Sequence, residues 1–299
     1  MKICNFGSLN LDRVYTVSHM AQPGETLASS TMEEFCGGKG LNQSLALARA
    51  GATVFHAGCI GADGGRLREL LERSGVDVRF VHQAEGANGH AIIQIDETGQ
   101  NSIILHGGAN REITKSMVDT VLEHFGSGDL LVLQNEINEI PYIIHRAEER
   151  HMRIVFNPSP FDEAVTAYPL DKVDYFVVNE LEGLRLSGET EPLAIIHALH
   201  QMYPKANVLL TLGEKGSLYV QDTAVYRQGI IQSFVRDTTA AGDTFLGFFF
   251  SQLERLGPEK ALQLASAAAA LAVSVKGAAN SIPNLRQVEE FFNMRGLSC

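Results

Sequence analysis

No stretch of this sequence is long and apolar enough to cross a bilayer. The longest uninterrupted apolar run, Ala267 to Val273, falls far short of the ~18 residues a membrane span needs. The N-terminus, Met1-Lys2-Ile3-Cys4-Asn5-Phe6-Gly7, has no apolar core of a secretory signal. Cysteine is scarce: Cys4, Cys36, Cys59 and Cys299 are scattered, with no CxxC and no histidine at metal spacing. That pattern fits reduced thiols, and a cytoplasmic location is expected. His197 and His200 could share a helix face but lack a third ligand, so they read as a surface pair. Positive charge is also in deficit, with 24 Lys and Arg against 35 Asp and Glu, a net charge of −11. Non-specific binding to nucleic acid or an anionic membrane is therefore not expected. A small polyanion held by local N–H groups and a divalent cation stays open.

Several familiar motifs are missing too. Gly38-Lys39-Gly40-Leu41-Asn42-Gln43 begins like GxGxxG, but Gln43 stands where the third glycine belongs and no strand is evident before it. No GxxxxGK[ST] occurs, because Lys39 is followed by Gly40, and no serine sits in a GxSxG context. A dinucleotide-binding fold, a P-loop ATPase and a serine hydrolase are all disfavoured. Internal repeats and low-complexity linkers are absent as well.

What is present is a globular α/β pattern. With 299 residues, 45% hydrophobic and 20% charged, the chain can bury a sizeable core. Apolar runs at 129–134, 153–157, 174–178 and 207–212 are short, unbroken and flanked by helical segments. They predict a doubly wound, mostly parallel sheet buried on both faces. Further strands are predicted at 2–7, 52–57 and 217–227, and helices opened by the stretch Cys36 to Ser44 and running to about Ala50, over 66–73, and from about Pro258 to Val275. The segments 13–35 and 89–106 differ. Here β-type runs flank turns, with a hairpin at 89–95 and 101–106 closed by Asp96-Glu97-Thr98-Gly99-Gln100. They predict a small β-sheet lid on an α/β body made of residues 1–12, 36–88 and 107–299. A sheet this thin leaves edges open, so a homodimer through the lid is expected.

One stretch organises the chemistry: Asp237-Thr238-Thr239-Ala240-Ala241-Gly242-Asp243-Thr244-Phe245. After Asp243, Leu246, Phe249, Leu253 and Leu256 recur at helical spacing until Gly257-Pro258. The turn Ala240-Ala241-Gly242 therefore offers N–H groups at a helix N-terminus, a ready anion site. An anion bound there would lie beside the Asp243 carboxylate. That is useful where Asp243 accepts a proton from a hydroxyl attacking phosphorus; an ordinary helix cap is the bland alternative. Other candidates gather at strand ends, where ligands bind in such folds. Asn10 and Asp12 follow the first strand. Asn179 and Glu182 follow the strand ending in Val178, and Glu182 alone would read as a first-turn helix acid. Thr211-Leu212-Gly213-Glu214-Lys215-Gly216 closes another strand with two glycines.

These motifs closely resemble the ribokinase/PfkB carbohydrate kinases, from about Ile3 to Phe292. The resemblance rests on Gly37-Gly38-Lys39-Gly40-Leu41-Asn42-Gln43 and on Asp237 to Asp243. Gly7-Ser8-Leu9-Asn10-Leu11-Asp12, His106-Gly107-Gly108-Ala109-Asn110, Asn179 with Glu182, and Lys276-Gly277-Ala278 support it. It implies a ribokinase-like fold and transfer of the γ-phosphoryl of ATP to a primary hydroxyl of a small sugar. By it, Asp243 is the catalytic base and the N–H groups of Ala240, Ala241 and Gly242 are the anion hole. Asn10, Asp12, Gly38, Lys39, Asn42 and Glu136 match sugar-holding positions. Asn179, Thr211, Gly213, Gly216 and Gly242 match nucleotide-contacting positions, and Glu182 the acid that helps place Mg²⁺. Asp237, Thr239, Ala272, Val275, Gly277 and Ser281 match a K⁺ site that orders the loop. Two positions depart from the family pattern: Ala240 stands where glycine is usual, and Arg66 where glycine is common, with local packing the expected consequence. The cluster Asn10, Asp12, Asn42 and Glu136 suits a small uncharged polyol, with D-ribose first. Ribulose, deoxyribose and a nucleoside such as pseudouridine, for which Tyr15 and Phe35 could supply apolar surface, are the alternatives. A sugar-binding regulator on a dead kinase fold would predict a damaged Asp243 or anion hole, and both are intact.

Overall fold

The computed structural model describes residues 1–295, so Cys299 lies outside the described residues. In chain order, β1 (Ile3–Phe6) is followed by β2 (Asn10–Thr16), β3 (Thr31–Gly37), α1 (Lys39–Arg49), β4 (Val54–Ile60), α2 (Gly65–Arg73) and β5 (Asp77–Gln83). Next come β6 (Gly89–Ile95), β7 (Asn101–His106), α3 (Lys115–Leu122), β8 (Leu130–Gln134), α4 (Ile140–Glu149), β9 (Arg153–Asn157) and β10 (Tyr175–Asn179). The chain continues through α5 (Glu180–Ser187), α6 (Pro192–Met202), β11 (Asn207–Thr211), β12 (Ser217–Gln221), β13 (Ala224–Gln228), α7 (Ala241–Leu256), α8 (Pro258–Ala272) and α9 (Leu285–Met294).

Nine strands form the main sheet in the order β13-β12-β11-β10-β9-β8-β1-β4-β5. All pairs from β11 to β5 are parallel, and β12 and β13 add an antiparallel edge. Alternate residues serve opposite layers. Ile3, Leu130 and Val132 pack under α1, α7 and α8, whereas Cys4, Phe6, Leu131 and Leu133 pack under α3 and α4. Burial of both faces is why these strands read as unbroken apolar runs. The chain winds one way from β1 through β4 to β5 and the other way from β8 outward. The crevice beyond the carboxyl ends of β1 and β8 is thus the switch point at which such sheets bind ligands.

The small sheet runs β3-β2-β6-β7, with β2 parallel to β6 and antiparallel pairs on either side. Its strands reach beyond the expected lid, taking in Asn10 to Asp12 and Cys36-Gly37. Asn10 and Asp12 are therefore carried by the small sheet, not by the end of β1. A strand does precede Gly38, contrary to expectation. β3 escapes notice because Met32, Glu33 and Glu34 are exposed and no alternation marks it. β5 was also not expected, since Arg79 and His82 interrupt its apolar positions, and α8 stops at Ala272, short of Val275.

Ion pairs tie the small sheet to the body. Glu34, paired within the small sheet to Arg13 at 2.8 Å, meets Arg66 at 2.8 Å, and Glu33 meets Lys276 at 2.7 Å. Arg66 thus reaches across to the small sheet, a consequence beyond the local packing expected of it. Exposed pairs contribute only ~0–1 kcal/mol each, so they bias the placement of the sheet more than the stability of the fold.

Candidate active site

The end of β1, the start of α1, the loop after β8 and the first turn of α7 converge on one carboxylate. Asp243 is 6% exposed and sits in the first turn of α7. Asn42 Nδ2 donates to its Oδ2 at 3.1 Å, and Gln43 Nε2 to its Oδ1 at 2.9 Å. Lys39 Nζ lies 4.0 Å from Oδ1. Glycine permits this closeness. A Cβ on Gly40 would stand 2.3 Å from Ser8 N, and one on Gly247 would stand 2.3 Å from Ala46 Cβ. Gly38, at φ 93°, turns the chain from β3 into α1.

Glu136, just past β8, accepts from Lys39 N at 2.9 Å and from the Ser8 hydroxyl. One of its oxygens therefore caps α1, a helix with no acid in its own first turn. Burial raises the Glu136 pKa, while Lys39, Ser8 and the Lys39 N–H pull against that rise. Burial likewise works against the charge on Lys39, but Asp243, Glu136 and Glu182 outweigh it and hold its pKa up. Asn10 Oδ1 accepts from Asn110 Nδ2 at 2.7 Å, and Asn110 Oδ1 accepts from Leu9 N at 2.9 Å. Asp12 lies over Gly37, where any Cβ would collide with its carboxylate. Asn42 Oδ1 is buried without a hydrogen-bond partner.

Burial, followed by the charge of Glu136, lifts the Asp12 pKa to about 7. The unfolded carboxyl titrates near ~3.9, so between those values the folded chain binds a proton that the unfolded chain does not. Stability consequently falls as pH rises from about 4 to about 7. Asp12→Asn is expected to raise Tm at pH 8, on the order of 1–3 kcal/mol of stability, with the gain vanishing below about pH 4. A Tm unchanged at pH 8 would contradict this reading.

At the start of α7, Ala240 is left-handed at φ 61°, so alanine takes up the conformation for which glycine is usual. Thr244 N donates to Ala240 O at 2.8 Å, closing the first turn. Gly242 N–H stands in that turn without an intrahelical acceptor. Ala241 does not keep a free N–H, however. It donates to Thr238 O at 3.2 Å, which corrects the expectation of three free donors in the turn.

A family model described as "pfkB family carbohydrate kinase" matches residues 1–285. The chain belongs to the pfkB family of carbohydrate kinases. It is 33% identical over 298 residues to a ribokinase of Haemophilus influenzae, covering 95% of this chain and 96% of that one. A deoxyribokinase of Salmonella typhimurium is 30% identical over 306 residues, covering 98% and 99%. The solved structure of Arabidopsis thaliana ribokinase complexed with ribose and ATP superposes with a TM-score of 0.84 at 30% identity, covering 97% of each chain.

In this carbohydrate kinase the second half of the candidate site lies along β10, β11 and the 237–281 loops. Asn179 and Glu182 form a capping box at α5: Glu182 N donates to Asn179 Oδ1 at 2.8 Å, and Asn179 N to Glu182 Oε2 at 3.0 Å. The bland reading of Glu182 as a first-turn acid is thus realised, which leaves its second oxygen for any further contact. Thr211 pairs in register with Asn179. Gly213 and Gly216 follow at φ 54° and 94°, and a Cβ on Gly216 would meet Gln228 O at 2.1 Å. Asp237 binds Thr239 N at 2.9 Å and Gly277 N at 2.8 Å. Burial works against ionising it, but those hydrogen bonds and Lys276 hold its pKa below the usual value. It thereby joins three residues of the expected cation loop. Ala272 O already accepts from Val275 N at 3.1 Å, and Ser281 Oγ donates to Ala278 O. Among the described residues no three His, Cys, Asp or Glu side chains cluster as a metal site. Sequence reasoning passed over Gln43, Gln134, Asn157, Ser8 and Asn110. Gln43, Ser8 and Asn110 stood within the quoted motifs, but none of them was given a role.

Proposed function

We propose that this carbohydrate kinase transfers the γ-phosphoryl of ATP to the 5-hydroxyl of D-ribose. The observation that carries the reading is the buried carboxylate of Asp243 at the start of α7, held by Asn42 and Gln43 with Lys39 beside it. Asn10, Asp12, Asn42 and Glu136 accept or donate to sugar hydroxyls, Lys39 adds a cation, and Gly38 lets the sugar approach the backbone. The unpartnered Oδ1 of Asn42 supports that role. A phosphorylated sugar would want more cations here than Lys39.

Asp243 accepts the proton of the attacking hydroxyl. A carboxylate is a weak base for an alcohol, so the proton moves late, as the oxygen gives up electron density to phosphorus. The N–H groups of Ala240 and Gly242, with Ala241 once its bond to Thr238 O gives way, steady the charge on the transferring phosphoryl. Asn179, Thr211, Gly213 and Gly216 line the nucleotide path, and Gly242 lies where its phosphates end. Magnesium bound to those phosphates would neutralise their charge, with Glu182 helping to place it through water. A potassium ion fits the loop of Asp237, Thr239, Ala272, Val275, Gly277 and Ser281, where it would order the turn without touching sugar. Closure of the small sheet keeps water from the phosphoryl group. A homodimer through that sheet is supported by β7, all of whose residues are exposed, with Ile103 at 57% and Ile104 at 62%. We infer a cytoplasmic protein with no nucleic-acid or membrane partner; no helix among the described residues is long and apolar enough to cross a membrane.

ADP release from Mg-ATP across ribose, deoxyribose, ribulose, fructose, adenosine and pseudouridine, with and without K⁺, tests this. Turnover is expected to be highest on ribose and stimulated by K⁺. Highest turnover on deoxyribose or a nucleoside would replace the substrate, and none on any acceptor would sink the reading.

A further inference from the structure

Behind Asp243, on the side away from the crevice, lies a row of buried amides that the chemistry above leaves unused. Gln43 Nε2 donates to Asp243 Oδ1 at 2.9 Å and reaches Asn157 Oδ1 at 3.3 Å. Gln43 Oε1 accepts from Gln134 Nε2 at 2.7 Å, and Gln134 Nε2 also donates to Asn5 Oδ1 at 2.8 Å. Asn5 Nδ2 in turn donates to Gly40 O at 2.7 Å and to Ser44 Oγ at 2.7 Å. Asn5 and Gln43 are wholly buried, and Gln134 is nearly so. Burying this many amides is costly compared with apolar packing.

The row has a direction. Gly40 O is a carbonyl and can only accept, so it fixes the Asn5 amide with its nitrogen outward. Asn5 oxygen then faces Gln134 nitrogen, Gln134 nitrogen faces Gln43 oxygen, and Gln43 nitrogen is left pointing at Asp243. A flip anywhere would set two donors or two acceptors against each other. Asn42, the other donor to Asp243, is the adjacent residue of α1, and the proposed function gives it to the sugar, so a bound sugar competes for it. Gln43 has no such second duty.

We propose that Gln43 is a positioning residue for phosphoryl transfer, held by Gln134 and Asn5 so that its amide N–H fixes the plane of the Asp243 carboxylate toward the sugar hydroxyl. The proposal rests on Asp243 acting as the base. Gln43 touches neither substrate, and its effect passes through Asp243. Displacement of the base by a fraction of an ångström lowers the rate without loosening either ligand.

The test uses the full-length protein and the sugar that the wild type turns over best, with Asp243→Asn as reference. Gln43→Met keeps length and shape but removes the donor. It is expected to lower kcat by roughly 10–100-fold while sugar and ATP dissociation constants stay within about 3-fold. Gln134→Met is expected to cost about 3–10-fold, and the double variant no more than Gln43→Met alone, because Gln134 acts through Gln43. In the Asp243→Asn background, Gln43→Met is expected to change kcat by less than about 2-fold. A folded Gln43→Met enzyme with near-wild-type kcat, a loss carried by the dissociation constants, or full additivity in either background would overturn the proposal. Should Gln43→Met fail to fold, Gln43→Glu decides. As an ion it opposes Asp243, and protonated it donates, so its kcat relative to wild type is expected to recover from pH 8 to pH 6. The charged groups facing this pair are Lys39 and Glu136, with Glu182 beyond Lys39, and the ratio to wild type at each pH cancels their titration. A flat ratio overturns the proposal. Loss of all turnover in the wild type would instead fell the proposed function itself.

Discussion

Asp243→Asn is expected to lower kcat by ~10²–10⁴, the range for loss of a general base, while sugar and ATP affinities stay within a few-fold. The separation follows from where the residue stands. Asn10, Asp12 and Glu136 hold the proposed sugar site from the small sheet and the β8 loop, and none of them hydrogen-bonds Asp243. The substitution keeps shape but sets an amide against two donors, Asn42 Nδ2 and Gln43 Nε2, so one of those contacts must loosen. Steady-state kinetics with separate equilibrium binding measures both quantities. Near-full kcat would pass the role of base to another group, and a matching collapse in sugar affinity would recast Asp243 as a binding residue.

Gly247→Val is expected to be the most damaging single change outside the crevice. Gly247 faces α1 at the point where α7 crosses it, and its Cβ would fall 2.3 Å from Ala46 Cβ and 2.7 Å from Leu47 N. Backbone atom Ala46 C lies at 2.7 Å as well, so no rotamer change relieves the clash; the helices must part. Overpacking of this kind costs about 1–3 kcal/mol, and because backbone must move here the upper end or more is expected, a drop in Tm of roughly 5 °C or more for a chain of this size. Parting α1 from α7 also draws Asn42 and Gln43 away from Asp243, so kcat is expected to fall by at least ~10-fold in whatever fraction folds. Thermal unfolding and kinetics on the same preparation check this. A Tm within about 2 °C of wild type would show that the crossing is looser than the geometry states.

The two effects bear on what could be read in the linear chain. Strands β8 to β11 were legible because each is buried on both faces and so is apolar without interruption. β3 and β5 were not, since one lies exposed in a thin sheet and the other carries Arg79 and His82 among its buried positions. Asp243 and the glycines before α1 were legible because helix starts and tight turns leave local signatures. Glu136, by contrast, entered through family resemblance alone. Its oxygen caps a helix begun 97 positions away, and no local pattern marks it. Ala241 shows the opposite failure: local logic made its N–H free, and a carbonyl three residues back takes it.

By itself the sequence determined the alternation of strand and helix, the absence of a long apolar span and the motif that ends in Asp243. These depend on side-chain periodicity and backbone conformational freedom, which are properties of neighbours in the chain. Tertiary structure alone decided that Asn10 and Asp12 ride on the small sheet, that Arg66 reaches across to Glu34, and that Gln43 stands behind Asp243 from 200 positions away. A hydrogen bond selects its partner by distance and direction in space, and burial makes that selection strict because an unmet donor or acceptor cannot turn to water. Residues of this kind look interchangeable in the linear chain and become particular only once the sheet has brought them together.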